Sequence, residues 1–289
     1  NEEEFVSVDD DTAVIFTNGS ITDSATLGDF NTPAPENMDY GAASSLWKKA
    51  AERFYNLGNP DKFFADRDAS EWVSFTLTTK NHTFLNEISR ITTQVPGNAL
   101  NSFISTAPVT PLNQKDVTMS IVVHHQPHFT SQKPNETVLW GYFLYPRRQG
   151  EFVNKPYIEM TGKEMLQELI GQLSKVDQGP INIKTKEVEI MDSVVNCIPV
   201  YMPYASALFN NRAKSDRPKV IPKHSTNLAF TGEFVEQPYQ MIFTENSAVR
   251  SGEIAAFHFA GVPMSRLVPT PRYDKDIKTL IKAAKKMFD

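Results

Sequence analysis

The periodicity of apolar positions changes several times along the chain, and each change marks an element. Met165, Leu166, Leu169, Ile170 and Leu173 recur at helical spacing behind Thr161-Gly-Lys-Glu164, which has the form of a capping box, so a helix is predicted to start at Thr161. Two runs, Val117 to His124 and Thr137 to Tyr145, are β-branched, aromatic and long enough for strands, and the polar, proline-bearing connection between them predicts an antiparallel pair. Upstream, Thr12 to Ser20 reads as a strand stopped by Asn18-Gly19, and Trp72 to Thr78 as another. Leu46, Ala50 and Phe54 share one face of a predicted helix, with a further short helix or turn at Asp61 to Asp68 and room for a helix at Asn81 to Ile91. Residues 21–45 have loop composition, and the stretch from Val95 to Gln114 is punctuated by Pro and Asn, with room for short strands.

The second half has a different grammar. Asn196 to Tyr204 is extended and interrupted by Pro199 and Pro203, and Asn210 to Pro222 is a basic loop. Then follow a strand, Asn227 to Thr231, the pair Gly232-Glu233, and a helix from about Thr244 to Ala260. At the end, Ile277, Leu280, Ile281, Ala284, Met287 and Phe288 share one helical face, and lysines fill much of the rest. Strands and helices are thus interleaved throughout, which predicts a mixed α/β fold with an antiparallel sheet and a C-terminal helical segment.

Composition narrows the classes. With 289 residues, 40% hydrophobic and 22% charged, the chain can bury a large core. No apolar run reaches the roughly 18 residues a membrane span needs, and Asn1 to Phe5 has no feature of a secretory leader. The formal net charge of −5 argues against a nucleic-acid partner, although the stretches Arg212 to Lys223 and Lys275 to Lys286 are locally cationic. The lone cysteine, Cys197, lies in an apolar stretch and is expected to be a buried, inert thiol in a cytoplasmic protein. The Asn-x-Ser/Thr triplets at Asn18, Asn81 and Asn135 are expected to be unmodified.

Three patterns bear on chemistry. A strand ending in Gly-acid before a helix can bring backbone and a carboxylate to a flavin, with the helix N-terminus turned to its pyrophosphate; a plain turn has the same pattern. The G-x-G-x-x-G fingerprint of dinucleotide binding is absent from the 289 residues. Thr118, Ser120 and His124 alternate along one strand and share a face opposite His125; that face is either a solvated or internally satisfied polar surface or a place to hold a carboxylate. Within His124-His-Gln-Pro-His128 a metal site is not expected, because His124 and His125 point apart and Pro127 opposes the helix that would align His124 with His128. The basic amphipathic segment 274–289 can lie on an anionic bilayer or dock its apolar face on the protein body.

Several motifs together carry a family resemblance. Phe16-Thr-Asn-Gly-Ser-Ile-Thr-Asp-Ser24, His125-Gln-Pro-His-Phe129, Val138-Leu-Trp-Gly-Tyr142, Lys155-Pro156 with Thr161-Gly-Lys-Glu164, Asp216 to Pro222, Ser225 to Phe230 and Phe234 to Pro238 are similar, in order, to blocks of the oleate hydratases, the myosin-cross-reactive-antigen family. The chain resembles the C-terminal half of such a protein. The resemblance implies a flavoprotein of the two-dinucleotide-motif type, in which FAD has no net redox role and water is added to the cis-9 double bond of oleic acid to give a 10-hydroxy acid. It places residues 1–30 and 223–262 in the flavin domain and 31–222 in a substrate-channel domain, followed by the basic helix of 263–289. Thr17, Asn18, Gly19, Ser20, Gly232, Glu233, Phe234, Thr244 and Ser247 match segments expected at the flavin, and Thr118, Ser120 and His124 the region that contacts the substrate carboxylate. The family reads Phe-Thr-x-Glu-Tyr-Ser-Val-Arg where this chain has Phe243-Thr-Glu-Asn-Ser-Ala-Val-Arg250, which puts the contacts of Asn246, Ser247 and Ala248 in question. The family's catalytic glutamate and tyrosine, and its glycine fingerprint, are expected upstream of Asn1, so this chain alone is expected to be inactive. A homodimer and peripheral membrane association are also implied. Two rivals remain: a flavin-dependent double-bond isomerase or oxidoreductase on the same scaffold, and a non-catalytic lipid binder.

Overall fold

A computed structural model describes residues 6–91, 102–106, 119–177, 179–238, 245–270 and 275–288. The fold is mixed α/β, as the patterning predicts, and the chain divides into two compact units. One comprises residues 1–23, 41–65 and 211–289; the other comprises 24–40 and 66–210.

The second unit is built on an antiparallel six-stranded sheet. Its strands are β2 (Thr26–Leu27), β3 (Trp72–Thr79), β4 (Ser102–Thr106), β5 (Met119–Val123), β6 (Thr137–Phe143) and β7 (Val194–Met202), in the spatial order β2-β7-β3-β6-β5-β4. The predicted pairing of β5 with β6 is present, with Ser120 opposite Tyr142 and Val122 opposite Trp140. Alternation sends Val73, Phe75, Leu77, Ile121, Leu139 and Phe143 into one buried core. Against that face pack helices α3 (Thr83–Ile91) and α4 (Gly162–Val176), which bury Phe84, Leu85 and Ile88, and Met165, Leu166, Leu169, Ile170 and Leu173 respectively. The capping box forms as the sequence predicts: the Glu164 amide donates to Thr161 Oγ1 at 3.2 Å and the Thr161 amide to Glu164 Oε2 at 2.9 Å.

Pro199 does not interrupt β7, contrary to the expectation from sequence. In an antiparallel strand a residue's N–H and C=O face the same side, and the Pro199 carbonyl accepts from Gly28 on the β2 flank. The missing N–H therefore points towards two-residue β2, not towards the long ladder with β3, so the strand loses no bond there. An ion pair joins α3 to the end of α4 in this unit. Arg90 binds Asp177 through both guanidinium Nη atoms at 2.8 and 2.7 Å, and Asp177 also accepts from the amides of Gly179 and Ile183 at 2.9 and 2.7 Å. Those bonds, the Arg90 contact first, hold the Asp177 carboxyl well below the usual carboxylate range.

The first unit contains a two-stranded parallel sheet of β1 (Val14–Thr17) and β8 (Leu228–Thr231). Around it are α1 (Ala42–Arg53), α2 (Asp61–Phe64) and α6 (Glu245–Phe259); the intervening helix of the other unit is α5 (Glu187–Ser193), and the chain's last helix is α7 (Ile277–Phe288). The structure corrects the predicted face of α1. Leu46 and Phe54 are 53% and 58% exposed, whereas Trp47 is fully buried against Phe63, Phe64 and Phe234. This aromatic cluster lies within the unit that carries β8. Its other side, with Leu46, Phe54, Ile15 and Leu228, lines an open cavity of about 630 Å³. Among the described residues no helix is long and apolar enough to cross a membrane.

Candidate functional site

The parallel pairing of β1 with β8 juxtaposes two segments more than 200 residues apart, because Thr17 is opposite Thr231 and each strand ends there. The Thr17 and Thr231 hydroxyls lie 3.2 Å apart. Just beyond, Asn18 is fully buried and its Nδ2 donates to the Phe234 carbonyl at 2.8 Å. Gly19 and Gly232 both turn the chain at positive φ, +127° and +104°, where a side chain is strained. The Gly232 amide donates to Ser251 Oγ on α6 at 2.9 Å. Glu233 is half-buried and accepts from the Ile21 amide at 3.3 Å; burial raises its carboxyl above the ordinary range, and that hydrogen bond only partly opposes the shift.

The structure thus brings Thr17, Asn18, Gly19, Gly232 and Glu233 together, with Ser20 adjoining them and bonded to Thr22 at 3.1 Å. Phe234 follows directly, but its ring belongs to the aromatic core and only its carbonyl takes part. Ser247 on α6 is buried and occupied by Gln237, whose Nε2 donates to its carbonyl at 2.8 Å and reaches its Oγ at 3.3 Å. Thr244 lies outside the described residues. Asn18 Oδ1 and Gln237 Oε1 are buried and accept no hydrogen bond, which costs about 1–3 kcal/mol each for as long as no donor reaches them.

In the other unit, Ser120 is buried in β5, and His124 is half-buried one residue beyond the strand's end. Thr118 lies outside the described residues. The His124 ring has a pKa lowered from the ordinary histidine value, by burial first and then by the nearby His128. That neighbour was not expected. His124 and His128 stack with centroids 4.0 Å apart and planes 16° from parallel, because the turn at Gln126-Pro127 returns the chain where a helix could not. The sequence signal was the His124 to His128 cluster itself; what it lacked was the turn. Stacked planes do not converge on a cation, and among the described residues no group of three His, Cys, Asp or Glu is placed to hold a metal. Cys197 is fully buried and burial pushes its thiol above the usual range, as befits a packing residue.

Comparison with known proteins now decides the family. Residues 1–257 match the MCRA family. The chain belongs to that family. It is 85% identical to a linoleate hydratase of Lactiplantibacillus plantarum over 288 residues, which is 100% of this chain and 51% of that protein. It is 35% identical over 260 residues to an oleate hydratase of Streptococcus pyogenes serotype M49 (strain NZ131), covering 89% of this chain and 42% of that protein. The chain therefore spans about half the length of the curated relatives it matches. Of the two candidate clusters, that around Thr17, Asn18 and Gly232 lies in one unit and Ser120 with His124 in the other.

Proposed function

We propose that this chain is the C-terminal portion of an FAD-dependent fatty-acid hydratase that adds water to the cis-9 double bond of oleic acid, or of an acid such as linoleic with that bond, to give the 10-hydroxy acid. The observation that carries the reading is the 85% identity to a linoleate hydratase across the whole chain. The β1–β8 end supports the cofactor. Asn18 Oδ1 is a buried acceptor lacking a donor, and Gly19 and Gly232 keep the backbone bare of side chains beside it. Glu233 and the Thr17 hydroxyl are further groups suited to ribityl or phosphate-side hydroxyls. Bound there, FAD would play a part with no net redox change.

Hydration of an isolated alkene needs a proton delivered to one carbon and the oxygen of water to the other, with no net change in oxidation state of a cofactor. An alkene is a weak base, so the substrate must be held still and dry while this happens. This chain's contribution on the substrate side is positional. Ser120 lies in β5 and His124 one residue past its end, and His124, its pKa lowered by burial, can offer an N–H to a carboxylate without presenting a cation to the acyl chain. The helix α7 supports delivery from a membrane: Ile277, Leu280 and Ile281 are 71%, 49% and 52% exposed on one face, and Lys278, Lys282 and Lys285 are exposed beside them. Sedimentation with phosphatidylglycerol vesicles but not phosphatidylcholine vesicles is the expected result for that surface.

The test of function is mass analysis of products after oleic acid and FAD are incubated with a full-length protein that carries this chain as its C-terminal half. A product heavier by one water supports hydration, and an unchanged mass with a moved double bond identifies an isomerase instead.

A further inference from the structure

We propose that His128 is a positioning residue for the fatty-acid substrate: its imidazole, stacked on His124, fixes the plane of that ring so that His124 keeps a ring nitrogen turned to the substrate carboxylate. The inference rests on the assignment of His124 to the carboxylate and extends it to a residue that makes no such contact itself.

The geometry is specific. His124 stands just past the end of β5, where the ladder no longer limits its side chain. The exposed His128 covers one face of its ring at 4.0 Å, and Phe129 meets the His128 ring edge-on at 4.5 Å. The backbone beneath is braced as closely. His128 donates its amide to Gln132 Oε1 at 2.7 Å; Gln132 Nε2 donates to Gln126 Oε1 at 2.7 Å and to the Glu136 carbonyl at 2.8 Å. Gln126 in turn bonds both the carbonyl and the amide of Val138 on β6, at 2.9 and 3.1 Å, and its Nε2 reaches the His124 carbonyl at 3.0 Å. Two glutamine side chains thus continue the β5–β6 pairing past its last backbone bond, and both imidazoles hang from that extension. His125, on the opposite side of the strand, is exposed and takes no part in the stack. An orienting group of this kind lowers the entropy lost when an anion is captured, so its effect falls on substrate binding and not on the chemical step.

The experiment is steady-state kinetics on oleate with the FAD-loaded full-length protein and its variants His128→Ala, His128→Phe, His124→Ala and the double His124→Ala/His128→Ala. The expected result is a KM raised roughly three- to tenfold in His128→Ala with kcat within about twofold. His128→Phe, which keeps a flat ring on His124, should restore KM to within about twofold of the parent, and the double variant should be no worse than His124→Ala alone. A raised KM in His124→Ala with no change in His128→Ala, or a Phe variant as impaired as the Ala variant, overturns the positioning role. An unchanged KM in His124→Ala overturns the carboxylate assignment beneath it. Matching circular dichroism spectra and unfolding midpoints show that each variant is folded.

Discussion

The two units differ in how far their sheets and helices cover one another. In the unit of 24–40 and 66–210, every strand but the outermost has partners on both sides, α3 and α4 cover one face of the sheet, and the buried carboxylates are saturated: Glu168 alone accepts from the amides of Glu151, Phe152 and Val153 and from Gln172. The unit of 1–23, 41–65 and 211–289 has only a two-stranded parallel sheet, an arrangement that ordinarily lies inside a larger covered sheet. It leaves Ile15, Leu46 and Phe54 more than half exposed and Asn18 Oδ1 and Gln237 Oε1 buried without donors. The first arrangement is covered by its own helices, and the second is open and holds Asn18 Oδ1, a buried acceptor without a donor, just past the end of β1 where the cofactor is proposed to bind.

If that contrast is right, the largest effect belongs in the closed unit. Leu169→Ala opens a cavity at a fully buried position of α4 and should lower stability by about 2–5 kcal/mol, read as a shift of the urea midpoint. Asp177→Asn should cost about 2–3 kcal/mol, because it leaves Arg90 without its bidentate partner. The same pair sets a pH dependence: the folded-state pKa of Asp177 is depressed, so its stabilisation is complete above the unfolded value of 3.8 and is lost as pH falls from there through the lower folded value. Acid unfolding of Asp177→Asn should show less of this loss below pH 4 than the parent. Thr161→Ala removes one half of the capping box and should cost about 1 kcal/mol in thermal unfolding. At the other extreme, Leu46→Lys in the open unit should change stability by less than about 0.5 kcal/mol, and a larger loss would show that this face is packed rather than open.

Legibility in the sequence follows the range of the forces involved. Helix α4 is fully determined by a local cap and a five-residue apolar pattern, and β5 with β6 by alternation and a short connection, so all three appear where the pattern puts them. Helix α1 is legible as a helix but not in its orientation: Leu46, Ala50 and Phe54 make the more regular stripe, yet Trp47 is the buried residue because Phe63, Phe64 and Phe234 supply an aromatic pocket that periodicity cannot see. β7 passes through Pro199 because of which neighbour it faces, which is a property of the sheet and not of the strand. In the candidate sites, the motifs around Asn18 and Gly232 are visible, while their meeting depends on a parallel pairing across the chain. The stacking of His128 on His124 depends on a turn that local helical reasoning rejects.

The central claim is that the two clusters serve different ligands, cofactor at the β1–β8 end and fatty acid at the end of β5. Its most direct test is an equilibrium titration of FAD, followed by flavin fluorescence, on full-length Gly232→Ala and His124→Ala side by side. A methyl at Gly232 sits 3.2 Å from Thr17 Cγ2 on a backbone that disfavours any side chain, so FAD affinity should fall about tenfold or more in Gly232→Ala and remain at the parent value in His124→Ala. Equal affinities in both variants, or the loss appearing in His124→Ala instead, would contradict the account.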